Sequence, residues 1–312
     1  MLRMIYPLDQ FDRVEHVDRP DFVLARKHQE PFGVEVTELY QSEAHARLHN
    51  RPTYFTHLIS GGDYIHKDDQ SALPVSTFTV TDPDGKVKSE NVPGIVTPRP
   101  SLEERRRSLA NVIRRKSEKH DAYRDGLSHV NLIIYDHHPN DITLKDEYPS
   151  EDVLGGEVRS ELAESPFREI FLINQYRDAA YGYRPLRMLN LLEQFRLFVE
   201  TLEAEFLDED DLDRVVVAFR DAMFHRRFAV DIVEADGCLL AAHWGLAVSI
   251  SVDGIRMHDF ADHPIPPSVD AFAQLAPGDR ETNESRMHAL ESEGRFMSAI
   301  TFPVLQCPLT NG

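Results

Sequence analysis

The stretch Pro20-Asp21-Phe22-Val23-Leu24, followed by Gly33-Val34-Glu35-Val36-Thr37-Glu38, decides how the chain is read. Asp21–Arg26 and Phe32–Tyr40 are short runs rich in Val, Phe and Leu, separated by a polar segment containing Pro31, and both read as strands. Side chains alternate along a strand, so Glu35 shares a face with Gly33 and Thr37. If Asp21 pairs opposite Thr37, Glu35 becomes its diagonal neighbour on that face. A slip of one residue would send the two carboxylates to opposite faces. Two carboxylates on neighbouring strands can share a divalent cation. Mg²⁺ takes hard oxygen ligands, often one or two carboxylates completed by water and substrate phosphate.

Working outward, Ser42–His49 reads as a short helix with Ser42 as N-cap. Val75–Val87 is a hairpin signal with Pro83-Asp84-Gly85 at its turn. Ser101 opens a helix, since Ser101-x-x-Glu104 fits a capping box after Pro100, and the periodicity carries it to about Arg124, before Gly126. At 100° per residue, Leu109, Val112, Ile113, Lys116, His120 and Tyr123 fall on one stripe, with Lys119 at its edge. A lysine centred on an apolar stripe needs an anionic partner or a path to solvent. Val130–Tyr135 and Glu169–Ile173 read as buried strands, and Leu186–Leu207 and Leu212–Phe224 as helices. Strand-like runs follow at Phe228–Val233, Leu239–Val252 and Ile255–Phe260, with Asp253-Gly254 as a turn and His263–Pro267 as a loop.

At Pro20-Asp21 and Glu35-Val36-Thr37 the chain resembles the PD-(D/E)XK, or restriction-endonuclease-like, nuclease superfamily. The departure is Thr37, which stands where that pattern has Lys. The resemblance spans about Phe11 to Tyr135 and implies a mixed α/β fold: a central mixed sheet flanked by helices, with a further α+β region after it. It implies Asp21 and Glu35 as Mg²⁺ or Mn²⁺ ligands and Glu15, in an expected first helix, as an auxiliary ligand. Lys116, or else Lys119, would supply the missing lysine from the helix. The implied activity is hydrolysis of a phosphodiester, most naturally in DNA. The reading from a different class is a nuclease-like fold kept for binding or regulation, with Thr37 marking the lost lysine.

Charge bears on the partner. The chain of 312 residues has a formal net charge of −19, which argues against a protein that coats nucleic acid. Residues 1–150 carry 20 Lys/Arg against 24 Asp/Glu, and residues 151–312 carry 14 against 29. Against this trend, residues 99–119 hold eight basic side chains (Arg99, Arg105, Arg106, Arg107, Arg114, Arg115, Lys116, Lys119) opposed by Glu103, Glu104 and Glu118. This helix is where DNA is expected to dock. A nuclease-like domain is expected over 1–175 and an acidic region over 186–312, with a boundary near 174–185. In the non-catalytic reading that acidic region would serve as a regulatory or homo-oligomer surface.

Two other clusters compete. Asp136-His137-His138 follows an apolar strand and resembles the signature of DHH-type phosphoesterases, which implies Mn²⁺ at that strand end. The upstream partner motif would have to be Asp82-Pro83-Asp84-Gly85, which reads better as a turn. His258, Asp259, Asp262 and His263 form a second group that reads as polar surface. Cys238 and Cys307 have no metal-type spacing, no signal-like segment opens the chain, and no apolar run is long enough to cross a bilayer, so a cytoplasmic location without membrane contact is expected.

Overall fold

A computed structural model describes residues 1–6, 8–27, 30–62, 64–96, 100–138, 153–175, 181–205, 230–235, 238–243, 246–251 and 254–259. A short helix α1 (Leu2–Ile5) leads into β1 (Arg13–His16), β2 (Phe22–Ala25) and β3 (Phe32–Leu39). Helices α2 (Glu43–Asn50), α3 (Tyr54–Ser60) and α4 (Asp69–Ala72) and the hairpin β4 (Val75–Thr81) and β5 (Val87–Ile95) come next. Then follow α5 (Leu102–Ser117), β6 (Val130–Asp136), α6 (Gly156–Glu164), β7 (Ile170–Gln175), β8 (Tyr181–Pro185) and α7 (Leu186–Glu205). Strands β9 (Asp231–Ala235), β10 (Cys238–His243), β11 (Leu246–Ser251) and β12 (Gly254–Asp259) close the described chain.

The fold is mixed α+β, built on a six-stranded sheet in the order β1-β2-β3-β6-β7-β8. β1, β2 and β3 are antiparallel neighbours, whereas β6 runs parallel to β3 and to β7. A parallel neighbour requires a crossover, and α5 lies within the one that joins β3 to β6. Alternation along the strands sorts the sheet into two faces. Leu39, Leu132, Ile134, Ile170 and Leu172 pack beneath Leu109, Val112 and Ile113 of α5 and Val158 and Leu162 of α6. Leu24, Val34, Ile133, Phe171 and Ile173 pack on the other face against Ile5, Tyr6 and Phe11. Burying a side chain such as Phe171, fully enclosed here, contributes roughly 2 kcal/mol.

The capping box at Ser101 and Glu104 forms in both directions. The helix it opens ends at Ser117 rather than near Arg124. A 3-10 turn at His120–Ala122 follows, and Tyr123 is extended. Pro83 to Gly85 turn the hairpin, with Gly85 at φ 80, and Asp82 accepts from the Asp84 and Lys86 N–H groups. The stretch expected as a boundary contains β8, the antiparallel partner of β7 in the first sheet. The single expected run Leu239–Val252 is two strands, β10 and β11, of a four-stranded antiparallel sheet ordered β12-β11-β10-β9. Helix α7 touches both sheets, against β7 and β8 on one side and β10 and β11 on the other. Its first turn is held by the buried Glu169, which accepts from the Arg187 and Met188 N–H groups and satisfies donors a helix start leaves open. The expected helix Leu212–Phe224 lies outside the described residues, as do Asp262, His263 and Cys307. No helix among the described residues is long and apolar enough to cross a membrane.

Candidate functional site

β2 pairs with β3 through Phe22↔Val34, Val23↔Gly33 and Leu24↔Phe32. This register places Asp21 one step past the last pair, opposite Glu35, so the two carboxylates are direct rather than diagonal neighbours. Directly opposed residues share a face, so both carboxylates stand on the α5 side of the sheet. Their approach depends on Gly33, where a Cβ would come within 2.6 Å of Pro20 Cγ and 3.0 Å of Leu127 Cδ1. The bare glycine lets Pro20 pack over β3 and sets the path of the chain into Asp21.

Asp21 Oδ2 accepts from the Val36 N–H at 2.7 Å. The ladder stops at Phe22, and the carboxylate takes up a backbone donor that would otherwise lack a partner. Glu35 is buried, in parallel register with Leu132 of β6. Lys116, reaching down from α5, donates to Glu35 Oε1 at 2.5 Å. Tyr123 adds its phenol to the group. Burial first, then the charges of Glu35 and Asp21, push that hydroxyl above the usual tyrosine range. Its backbone neighbour Arg124 donates to Arg19 O at 3.1 Å, and its ring packs edge-on to His120 at 5.3 Å and near Phe167 at 6.1 Å. Tyr123 was visible in the sequence only as the last member of the α5 stripe, and nothing there marked it as part of the site.

The other expected residues stand apart. Glu15 lies on strand β1 instead of a helix, opposite Val23. Its carboxylate is 3.4 Å from Arg13 and 3.9 Å from Arg124. Lys119 is exposed at the start of the 3-10 turn, and no ion pair among the described residues joins it to Asp21 or Glu35. Among the described residues no three His, Cys, Asp or Glu side chains form an ion-holding group, so Glu15 does not complete one with Asp21 and Glu35.

The inner stripe of α5 carries a second cation at its other end. Arg105 donates through Nε at 3.0 Å and Nη2 at 2.6 Å to Asp136 Oδ2. The same carboxylate accepts from Asn174 Nδ2 at 2.9 Å, His138 N at 2.9 Å and His138 Nδ1 at 2.5 Å. Asp136 is four residues beyond Leu132, about 13 Å along the strand. Five donors surround it, which leaves little of the carboxylate for an ion and weakens the DHH-type reading.

The basic segment is largely engaged inside the molecule. Arg107 donates to Glu103 at 2.6 Å, Arg114 to Glu161 through Nε at 2.9 Å, and Arg105 and Lys116 to the carboxylates above. Arg115 and Lys119 remain exposed, and Arg99 lies outside the described residues. The exposed Arg107–Glu103 pair contributes little to stability, but all of these pairs reduce the positive surface facing solvent.

The site combines a carboxylate at the entry to β2, a second on β3, and a lysine delivered from the crossover helix. Comparison with known proteins goes no further, because the chain matches no family model, no curated protein and no solved structure.

Proposed function

We propose that the chain is a metal-dependent phosphodiester hydrolase acting on nucleic acid, most naturally DNA, and a divergent member of the restriction-endonuclease-like nucleases. The observation that carries this is the meeting of Asp21, Glu35 and Lys116 on one sheet face. The order of elements also supports it: two strands, an inserted hairpin, a lysine-bearing helix and a further strand parallel to β3.

The donors fit Mg²⁺ or Mn²⁺. Two carboxylates converge, Asp21 keeps its Oδ1 outside the bond to Val36, and such ions complete their shell with water and phosphate. When bound, the ion supplies Lewis acidity toward a phosphoryl oxygen and a more acidic water. Asp21 and Glu35 hold it, and the Asp21–Val36 bond fixes one carboxylate against the strand. Lys116, as the ammonium beside Glu35, orients the attacking water and offsets charge gathering on the phosphate. Exposed Arg115 and Lys119 steer the backbone. The test is Mg²⁺- or Mn²⁺-dependent cleavage of supercoiled and single-stranded DNA by the wild type, Glu35→Ala and Lys116→Ala. Loss in both variants supports the reading, and no metal-dependent cleavage by wild type on either substrate defeats it.

A second reading has its own support. Lys116 already closes on Glu35, as Arg105 closes on Asp136. In a non-catalytic nuclease-like protein these two ion pairs serve only to fasten α5 to the sheet, and the surface acts in binding.

A further inference from the structure

The insertion between β3 and α5, residues 43–95, has an interior of its own. Ala44, Tyr54, Leu58 and Leu73 are buried together with Leu48, Ile65 and Ile95 packed against them, separate from both clusters on the main sheet. A buried carboxylate ties this unit together. Asp69 accepts from Arg47 at 2.8 and 2.6 Å and from Tyr54 at 2.5 Å.

Where this unit meets the sheet, histidines face one another. His45 and His49 lie one turn apart on α2, and His137 and His138 follow directly on β6. The rings of His49 and His137 are 4.2 Å apart. His137 stacks on Tyr40 at 4.3 Å and meets Tyr135 edge-on at 4.6 Å. His138 is buried and fixed through Nδ1 by Asp136, and His45 lies within its electrostatic reach. Imidazoles are the side chains that take up protons near neutral pH, and four of them meet at this seam.

We propose that this histidine seam is a proton-operated latch, holding the 43–95 insertion against the ends of β3 and β6 near neutral pH and releasing it as the rings become charged. Charged groups reach the seam from each element around it. Glu38 of β3 is 3.4 Å from His137 Nε2 and also accepts from Tyr40. Asp136 of β6 faces His138 but is shared with Arg105 of α5 and Asn174 of β7. On α2, Glu43 and Arg47 pair with each other, and Arg47 turns to Asp69. His49 faces Tyr40, Asn50 and His137. A proton on α2 therefore meets another imidazole across the seam.

The direction follows from the surroundings. Burial, then His138, lowers the proton affinity of His45. Burial lowers that of His137, Glu38 opposes this, and His49 lowers it further. Rings that bind protons less readily when latched stabilise the latched form above their ordinary value of 6.5. That contribution is lost as pH falls below it, because the released form takes up more protons.

Hydrogen exchange at about pH 5.5 and about pH 7.5, corrected for the chemical rate, tests the latch on the full chain. Amides of α2 and α3 are expected to exchange severalfold faster at the lower pH, as local opening is favoured, while those of β6 and β7 hold. In His45→Gln/His49→Gln the ratio falls toward one, with only the contribution of His137 left. His49→Gln alone, at an exposed position, at least halves the ratio and serves if the double variant misfolds. Equal exchange at both pH values, or a ratio unchanged in the variants, overturns the latch.

Discussion

Lys116 Nζ lies 2.5 Å from Glu35 Oε1, across 81 residues of chain. The contact fastens α5 to β3 and gives a buried carboxylate its cation. Lys116→Ala strands that carboxylate and is expected to lower stability by roughly 1–3 kcal/mol, less than for a fully enclosed pair because the lysine stem is partly exposed. Lys116→Met combined with Glu35→Leu should recover most of this, since apolar replacement of a buried pair is often neutral. Urea denaturation of wild type and the two variants checks it. A double variant as unstable as the single would show that the site's packing, and not its charge, was lost.

At the other end of α5, Asp136→Asn leaves Arg105 and His138 without their shared anion. A loss of about 3–5 kcal/mol is expected, as for a buried pair broken on one side. Thermal unfolding measures it. A loss below about 1 kcal/mol would show that solvent satisfies these groups.

Gly33→Ala places a methyl group 2.6 Å from Pro20 Cγ. Pro20 is a ring in the chain leading to Asp21, so it cannot swing aside as a flexible side chain would. Overpacking of this kind costs roughly 1–3 kcal/mol and displaces Asp21 from Glu35. The variant should unfold earlier, while an unchanged melting temperature would mean that the turn adjusts freely.

Asp69 gives a pH prediction apart from the site. Hydrogen bonds from Arg47, working against burial and helped by Tyr54, hold its carboxyl down to about 2, from 3.8. A depressed carboxyl stabilises the fold above its unfolded value. That stabilisation is lost as pH falls from 3.8 through about 2. Denaturant midpoints across this window should drop more steeply for wild type than for Asp69→Asn, and parallel curves would contradict the assignment.

What the sequence made legible was local. The turn at Pro83–Gly85, the capping box at Ser101 and the alternation of β3 each follow from nearest neighbours, and each formed as read. Register depends on partners far along the chain, so the sequence left the pairing of Asp21 as a condition, and the ladder brings it opposite Glu35. Helical periodicity ran past Ser117 because His120 and Tyr123 stay on the apolar side after the backbone leaves the helix. Glu15 is on a strand since pairing with β2 overrides local preference in so short a segment. The basic run could not disclose that Arg105, Arg107, Arg114 and Lys116 find their anions within the fold.

In the proposed hydrolase Asp21 and Glu35 share one divalent ion. Calorimetric titration of Mn²⁺ into wild type, Asp21→Asn and Glu35→Gln at neutral pH tests it most directly. One site is expected in wild type, weakened by about tenfold or more in each variant. No binding to wild type, or binding that survives both substitutions, would contradict it.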